Sequence, residues 1–432
     1  MQAVSIFWFR RDLRLDDNKA LSEALASGHK VVPIFIFDQQ ILNLLEDKYD
    51  RRVDYIHQAL EKINEELKEV GSTLQTFYGK PLEIFKKLTD DFDIDTVYCN
   101  RDYEPAAIKR DDEVRAFLIS KNSRFLDFKD QVIFEKDEVT KDNGEPYTVY
   151  TPYSKKWKKL LTEKDYSHNN QEKEQFQKLG FKAILTLEKI GFQKTDLEFE
   201  SPILDSKIID NYDQTRDFPA QEGTTHLGIA LRLGTISVRK CVKFALSHNE
   251  TWLNELIWRE FFMQILFHFP KVVTHCFKEK YENILWRNNE HEFEKWCNGE
   301  TGYPIVDAGM RQLNQTGQMH NRIRMVAASF LTKHLLIDWR WGEAYFAKKL
   351  LDYDLSANNG NWQWAAGCGC DAAPYFRVFN PDEQTKKFDK DLKYIRKWNP
   401  DFEKDVLDHR IVEHKFARER ALAVYKKGLT SN

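Results

Sequence analysis

Through the first 130 residues, short apolar and β-branched runs alternate with longer stretches of helical period. Runs at 4–9, 31–37, 73–78, 96–99 and 124–128 have the length and composition of strands. Between them, residues 51–70 set Tyr55, Ile56, Leu60, Ile63 and Leu67 on one stripe, as an amphipathic helix requires. Strand, helix, strand in succession predicts a parallel sheet with helices on both faces. No glycine-rich fingerprint follows the first run, so a dinucleotide site of the usual kind is not expected there.

The strand pattern stops near residue 130. Lysine-rich polar segments (136–145, 155–159) and the breakers Pro146, Pro152 and Pro202 predict a partly helical connector over 131–200. Beyond 200 the period is helical almost throughout, most clearly at 323–336 and 339–351. The expected organisation is an α/β domain over 1–130, a connector over 131–200 and an all-α domain over 201–432.

Composition changes this picture in one respect. At 432 residues the chain has room for two or three domains, and 42% hydrophobic with 31% charged residues is ordinary for a globular protein. Aromatic content is 13%, and nine of the 11 tryptophans lie beyond residue 250, which gives the helical half an aromatic-specific task. A net charge of −3 announces no global affinity for nucleic acid, although a local basic groove is compatible with it. Six scattered cysteines, only Cys368 and Cys370 being close, form no zinc pattern, so no metal site is expected. Without an 18-residue apolar run or a leader, the chain reads as a soluble, cytoplasmic protein with reduced thiols and no membrane partner.

The densest chemistry lies at 352–381, DYDLSANNGNWQWAAGCGCDAAPYFRVFNP. Asp354, Asn358 and Trp362 recur every four residues, so a helix would put them on one face. A carboxylate, an amide and an indole side by side suit a flat, polar ring system such as a flavin. They are equally compatible with core tryptophans beside Asn358-Asn359-Gly360 as a helix end closing in a left-handed turn.

Longer motifs bear on that choice. FWFRRDLRLDDNKAL (7–21), WLNELIWREFF (252–262), TGYPIVDAGMRQL (301–313), MHNRIRMVAASFLTKHLLIDWRWGE (319–343) and NGNWQWAAGCGCDAAPYFRVFNP (359–381) resemble the DNA photolyase/cryptochrome family, above all its bacterial class I cyclobutane pyrimidine dimer photolyases. The resemblance spans essentially the whole chain. It implies a Rossmann-like α/β antenna domain followed by an all-α domain that holds FAD. It also implies repair of pyrimidine dimers in DNA by an electron from the photoexcited reduced flavin, the dimer being flipped out of the duplex.

Position by position, the resemblance matches Asn358 to the asparagine at the flavin's reactive nitrogen. Asp352 and Asp354 match carboxylates at its edge, and Arg324 the arginine beside the ring, with a plain Arg324–aspartate ion pair as the alternative. Tyr212, Thr224, Thr225, Leu227, Trp252 and Arg259 match its phosphate and adenine surroundings. Trp362, Trp339 and Trp286 match an electron-relaying tryptophan chain. Glu255, Trp258, Asn321, Met325 and Trp364 match the dimer pocket, with Glu255 and Asn321 also near the flavin, and Arg216, Arg322 and Arg377 match arginines gripping DNA phosphates.

The chain departs from the family at three places. TTHLG (224–228) replaces TSxLS, so Gly228 lacks a hydroxyl, and Gln318 stands where a tryptophan is usual. NRDYEPAA (100–107) carries Ala106 and Ala107 in place of the folate-contacting Asn-Glu pair, which leaves a second antenna chromophore of unknown identity or an empty site. A cryptochrome-type photoreceptor without repair activity is the main alternative, and the second is a (6-4) photolyase, against which Asn321 stands in place of histidine. A monomer is expected.

Overall fold

The computed structural model describes residues 3–170, 173–403 and 410–430. Packing divides the chain into two units, one of residues 1–135, 160–204 and 227–247, the other of 136–159, 205–226 and 248–432. The stretch expected as a connector is thus shared between them, and 227–247 packs with the α/β unit instead of with the other helices.

The first unit is built on a parallel sheet of order β3-β2-β1-β4-β5. Its elements are β1 (Val4–Phe9), α1 (Lys19–Leu25), β2 (Lys30–Asp38), α2 (Arg51–Glu69), β3 (Gln75–Gly79), α3 (Pro81–Asp91), β4 (Ile94–Asn100), α4 (Pro105–Ser120) and β5 (Arg124–Phe128). Central β1 is buried at all six positions, which is why its sequence shows a continuous apolar run and no alternation. β3 starts later than the pattern suggested because Thr73 and Leu74 are spent on Asn64, whose Oδ1 accepts from the Thr73 hydroxyl and the Leu74 amide.

Buried charge explains the allegiance of 227–247. Arg239 donates to Asp17 and Asp130, Arg14 donates to Asp130 and to the Gly234 carbonyl, and the Leu13 amide reaches the Leu233 carbonyl. Burial pushes the Asp130 carboxyl up, but Arg14 and Arg239 hold it down at about 2.

The second unit carries α5 (Tyr150–Leu160), α6 (Glu250–His268), α7 (Pro304–Thr316), α8 (Asn321–Ser329), α9 (Trp339–Lys349), α10 (Leu355–Ala366) and α11 (His414–Thr430), besides shorter helices. Its core gathers Trp296, Tyr303, Phe330, Trp339 and Trp362. The helix expected over 323–336 does not run through. From Phe330 to His334 it widens into a π-turn, and Leu336 adopts a positive φ of 51°. Within that turn Lys333 is buried and donates to the Ala366 carbonyl at the end of α10.

Glycine permits the closest helix contacts. A Cβ on Gly342 of α9 would lie 2.1 Å from the Trp362 ring, and one on Gly360 of α10 would lie 2.2 Å from Phe262 of α6. Gly360 is therefore a mid-helix packing residue, and the left-handed helix end falls at Gly367, φ 93°.

Candidate active site

α6 is apolar on nearly every side because it is buried on nearly every side. Asn249 caps it by accepting from the Trp252 amide. Glu255, Trp258 and Phe262, three and four residues apart, share one face. The Glu255 carboxylate accepts from the Arg216 guanidinium, which in turn lies over the Tyr212 ring at 5.4 Å. Burial raises the Glu255 carboxyl above the ordinary range, and Arg216 opposes that rise. Trp258 is half-buried and stacks against Tyr150, with ring centroids 3.7 Å apart and planes 5° from parallel.

The face of α10 repeats the spacing seen in the sequence. Asp354 is its N-cap and accepts from the amides of Ser356 and Ala357. One turn on, Asn358 donates to the Glu343 carbonyl (3.1 Å) and carboxylate (2.8 Å), which turns the amide's own oxygen away from α9. Neighbouring Asn359 and Gln363 both donate to the Val272 carbonyl and peg α10 to the turn after α6. Trp364 is half-buried beside the core.

On α8, Arg324 makes a two-pronged contact with Asp352 (2.9 and 3.1 Å) and donates to the Met319 carbonyl. The ion pair anticipated as the plain alternative is thus present. Asn321 is exposed and Met325 half-buried, one turn apart. Arg322 pairs with Asp217 at 2.7 Å and lies over Phe388, whereas Arg377 is exposed in the segment after α10. Thr224 and Thr225 are half-buried, Trp252 and Leu227 are buried and Arg259 is half-buried. Leu227 packs within the α/β unit and the others within the helical unit.

Of the three tryptophans singled out as a chain, Trp339 and Trp362 are buried and Trp286 is half-buried against Tyr425. The ring neighbours of Trp362 include Phe346 at 5.0 Å and Trp296 at 6.1 Å, and Trp296 in turn meets Tyr345 at 5.8 Å. Sequence reading passed over Trp296, Glu343 and Tyr150. Glu343 and Tyr150 lie in separate segments from the residues they touch, and no spacing rule connects them.

His320 supplies a test of whether these residues suit a flavin dinucleotide. Its Nδ1 accepts from the Arg322 amide as the N-cap of α8, which places the proton on Nε2. That Nε2–H is buried without a protein partner, and so is the Nε–H of Arg322. Burial together with Arg324 and Arg322 pushes His320 down to about 4, so the ring stays neutral. Buried donors lacking acceptors, next to an arginine aligned by Asp352, fit a ligand rich in acceptor oxygens and nitrogens. FAD is such a ligand. Among the described residues, no cluster of His, Cys, Asp and Glu suits a metal ion, and no helix is long and apolar enough to cross a membrane.

The family model for the FAD binding domain of DNA photolyase matches residues 252–421, and that for DNA photolyase matches residues 5–174. The deoxyribodipyrimidine photo-lyase of Synechococcus sp. is 36% identical, over 93% of this chain and 88% of its own length. The crystal structure of a class III photolyase from Agrobacterium tumefaciens superposes with a TM-score of 0.88 at 32% identity, covering 100% of this chain and 98% of that one. An archaeal photolyase from Sulfolobus tokodaii, solved with two FAD molecules, gives 0.84 at 32% identity, covering 98% and 99%. With both halves matched and the identity sustained along its length, the chain belongs to the DNA photolyase family, and its helical unit carries that family's FAD-binding domain.

Proposed function

We propose that the protein repairs cyclobutane pyrimidine dimers in DNA, using light and a bound reduced FAD. The supporting observation is the α6 face, where a carboxylate of raised pKa and a half-buried indole stand one turn apart with Arg216 beside them. Its named relatives are deoxyribodipyrimidine photo-lyases. When bound, reduced FAD supplies the light-excited electron that splits the dimer and receives it back. The chain's own residues bind and orient. Asn358, whose amide nitrogen donates to Glu343, would offer its carbonyl oxygen to the flavin, and Arg324, aligned by Asp352, would supply positive charge beside it. Tyr212, Thr224, Thr225, Trp252, Arg259 and Asp354 of the helical unit would complete the cofactor's surroundings. Trp258 and Trp364 flank the extruded bases, with Asn321 and Met325 beneath, and base–aromatic stacking of this kind is worth about 1–3 kcal/mol per base. Glu255 hydrogen-bonds a pyrimidine edge. Trp362, Trp339 and Trp286 relay electrons inward from the surface.

Illumination of the purified, pre-reduced protein with a thymine-dimer oligonucleotide is expected to restore the thymines. A yellow, flavin-loaded preparation that leaves dimers intact would overturn the proposal in favour of a photoreceptor. The absorption spectrum of the same preparation reports any second chromophore, such as the second FAD of the Sulfolobus relative.

A further inference from the structure

Tyr150 belongs to no motif used above, and it opens a helix in a stretch whose sequence reads as a connector. Its ring nevertheless lies flat on Trp258, 3.7 Å between centroids and 5° from parallel. Three further contacts immobilise it. The hydroxyl donates to the Asn254 carbonyl at 2.9 Å, one turn back along α6 from Trp258. The backbone amide donates to Asp371 Oδ2 at 3.1 Å, in the segment that follows Trp364. The ring edge meets Phe261 at 5.9 Å, and Tyr153, one turn along the same helix, meets Phe261 at 5.2 Å. Burial and the nearby Glu255 push the Tyr150 phenol well up, so the hydroxyl remains a donor.

An indole offers two faces. On Trp258, Tyr150 covers one, Phe262 stacks at 5.5 Å with its plane 29° away, and Phe261 meets the ring edge-on at 5.6 Å. A stacking platform recognises a base only if its plane is already fixed, since ordering it on binding would cost affinity. We infer that Tyr150 is a positioning residue that fixes the ring plane of Trp258 against which a pyrimidine dimer is to pack. The inference rests on the repair reading above. It gives the connector a part in lesion recognition, and the amide contact to Asp371 ties the same residue to the segment after α10.

The test uses the full-length, flavin-loaded, pre-reduced protein carrying Tyr150→Leu or Tyr150→Phe. Dissociation constants are measured for a thymine-dimer oligonucleotide and its undamaged counterpart, and repair per absorbed photon is measured at saturating DNA. Loss of an aromatic pair predicts about a 3- to 10-fold weaker dimer affinity in Tyr150→Leu. Affinity for undamaged DNA and repair at saturation are expected to be unchanged, and Tyr150→Phe is expected to restore dimer binding because it keeps the ring. If Tyr150→Leu loads flavin poorly, Tyr150→Met is measured in its place, with the same reading. A ring-less variant with full flavin and unchanged dimer affinity would overturn the inference, and so would equal weakening for damaged and undamaged DNA. Failure of the wild-type protein to prefer dimer DNA would instead overturn the repair reading.

Discussion

Glu255 shows how one side chain can hold two roles. Burial raises its carboxyl while Arg216 opposes the rise, and in the proposed repair reading the same carboxylate would offer a pyrimidine edge a strong acceptor while neutralising a guanidinium. Glu255→Gln keeps the shape and removes the charge. Loss of a charge-assisted hydrogen bond, about 1.5–3 kcal/mol, predicts dimer binding weakened by roughly tenfold or more, with flavin content unaltered. The pH dependence carries the same signature. A carboxyl raised by burial takes up its proton earlier as pH falls, so repair in the wild type declines from above the ordinary glutamate range. Glu255→Gln lacks that limb. An unchanged acid profile in the variant would remove Glu255 from this role.

At the scale of elements, the site depends on how closely α10 approaches α6 and α9. Gly360→Ala gains about 1 kcal/mol of helix propensity. Its new methyl, however, would sit 2.2 Å from the ring of buried Phe262, and overpacking of that kind costs about 1–3 kcal/mol. The overlap wins, so the variant is expected to melt lower and to load less FAD, because α10 also carries Asn358. A raised melting temperature would show that α6 yields easily. The same helix marks how far the sequence was legible. The four-residue spacing of Asp354, Asn358 and Trp362 does fall on a single helix, α10, with Asp354 as its N-cap, since local periodicity survives folding. The strands β1 and β5 fall where the sequence pattern places them, β1 ending just before Arg10 and β5 lying between Ser123 and Lys129. What escaped was non-local. The π-turn at Phe330–His334 follows a run whose period is helical throughout, and its Lys333 finds its partner at Ala366, 33 residues away. Tyr150 meets Trp258 and Asn358 meets Glu343 only because of tertiary packing.

The whole molecule carries a net charge of −3, so attraction to DNA has to come from a few placed cations and not from a global field. The three arginines matched to phosphate contacts are not equivalent in this respect. Arg216 is engaged with Glu255 and Arg322 with Asp217, whereas Arg377 stands exposed. A cation already paired within the fold must loosen that partner to meet a phosphate, so it releases less than a full counterion's worth of salt dependence. For duplex DNA each free contact contributes a slope of about −0.9 in log affinity against log salt. Arg377→Ala is therefore expected to flatten the salt dependence of binding by close to one contact, equally for damaged and undamaged duplexes. Arg322→Ala is expected to flatten it less, because Asp217 already offsets its charge. Titrations of both variants between low and physiological salt decide the matter. Equal flattening would mean that Asp217 releases Arg322 fully when DNA arrives, and an unchanged slope for Arg377→Ala would place the phosphate contact elsewhere.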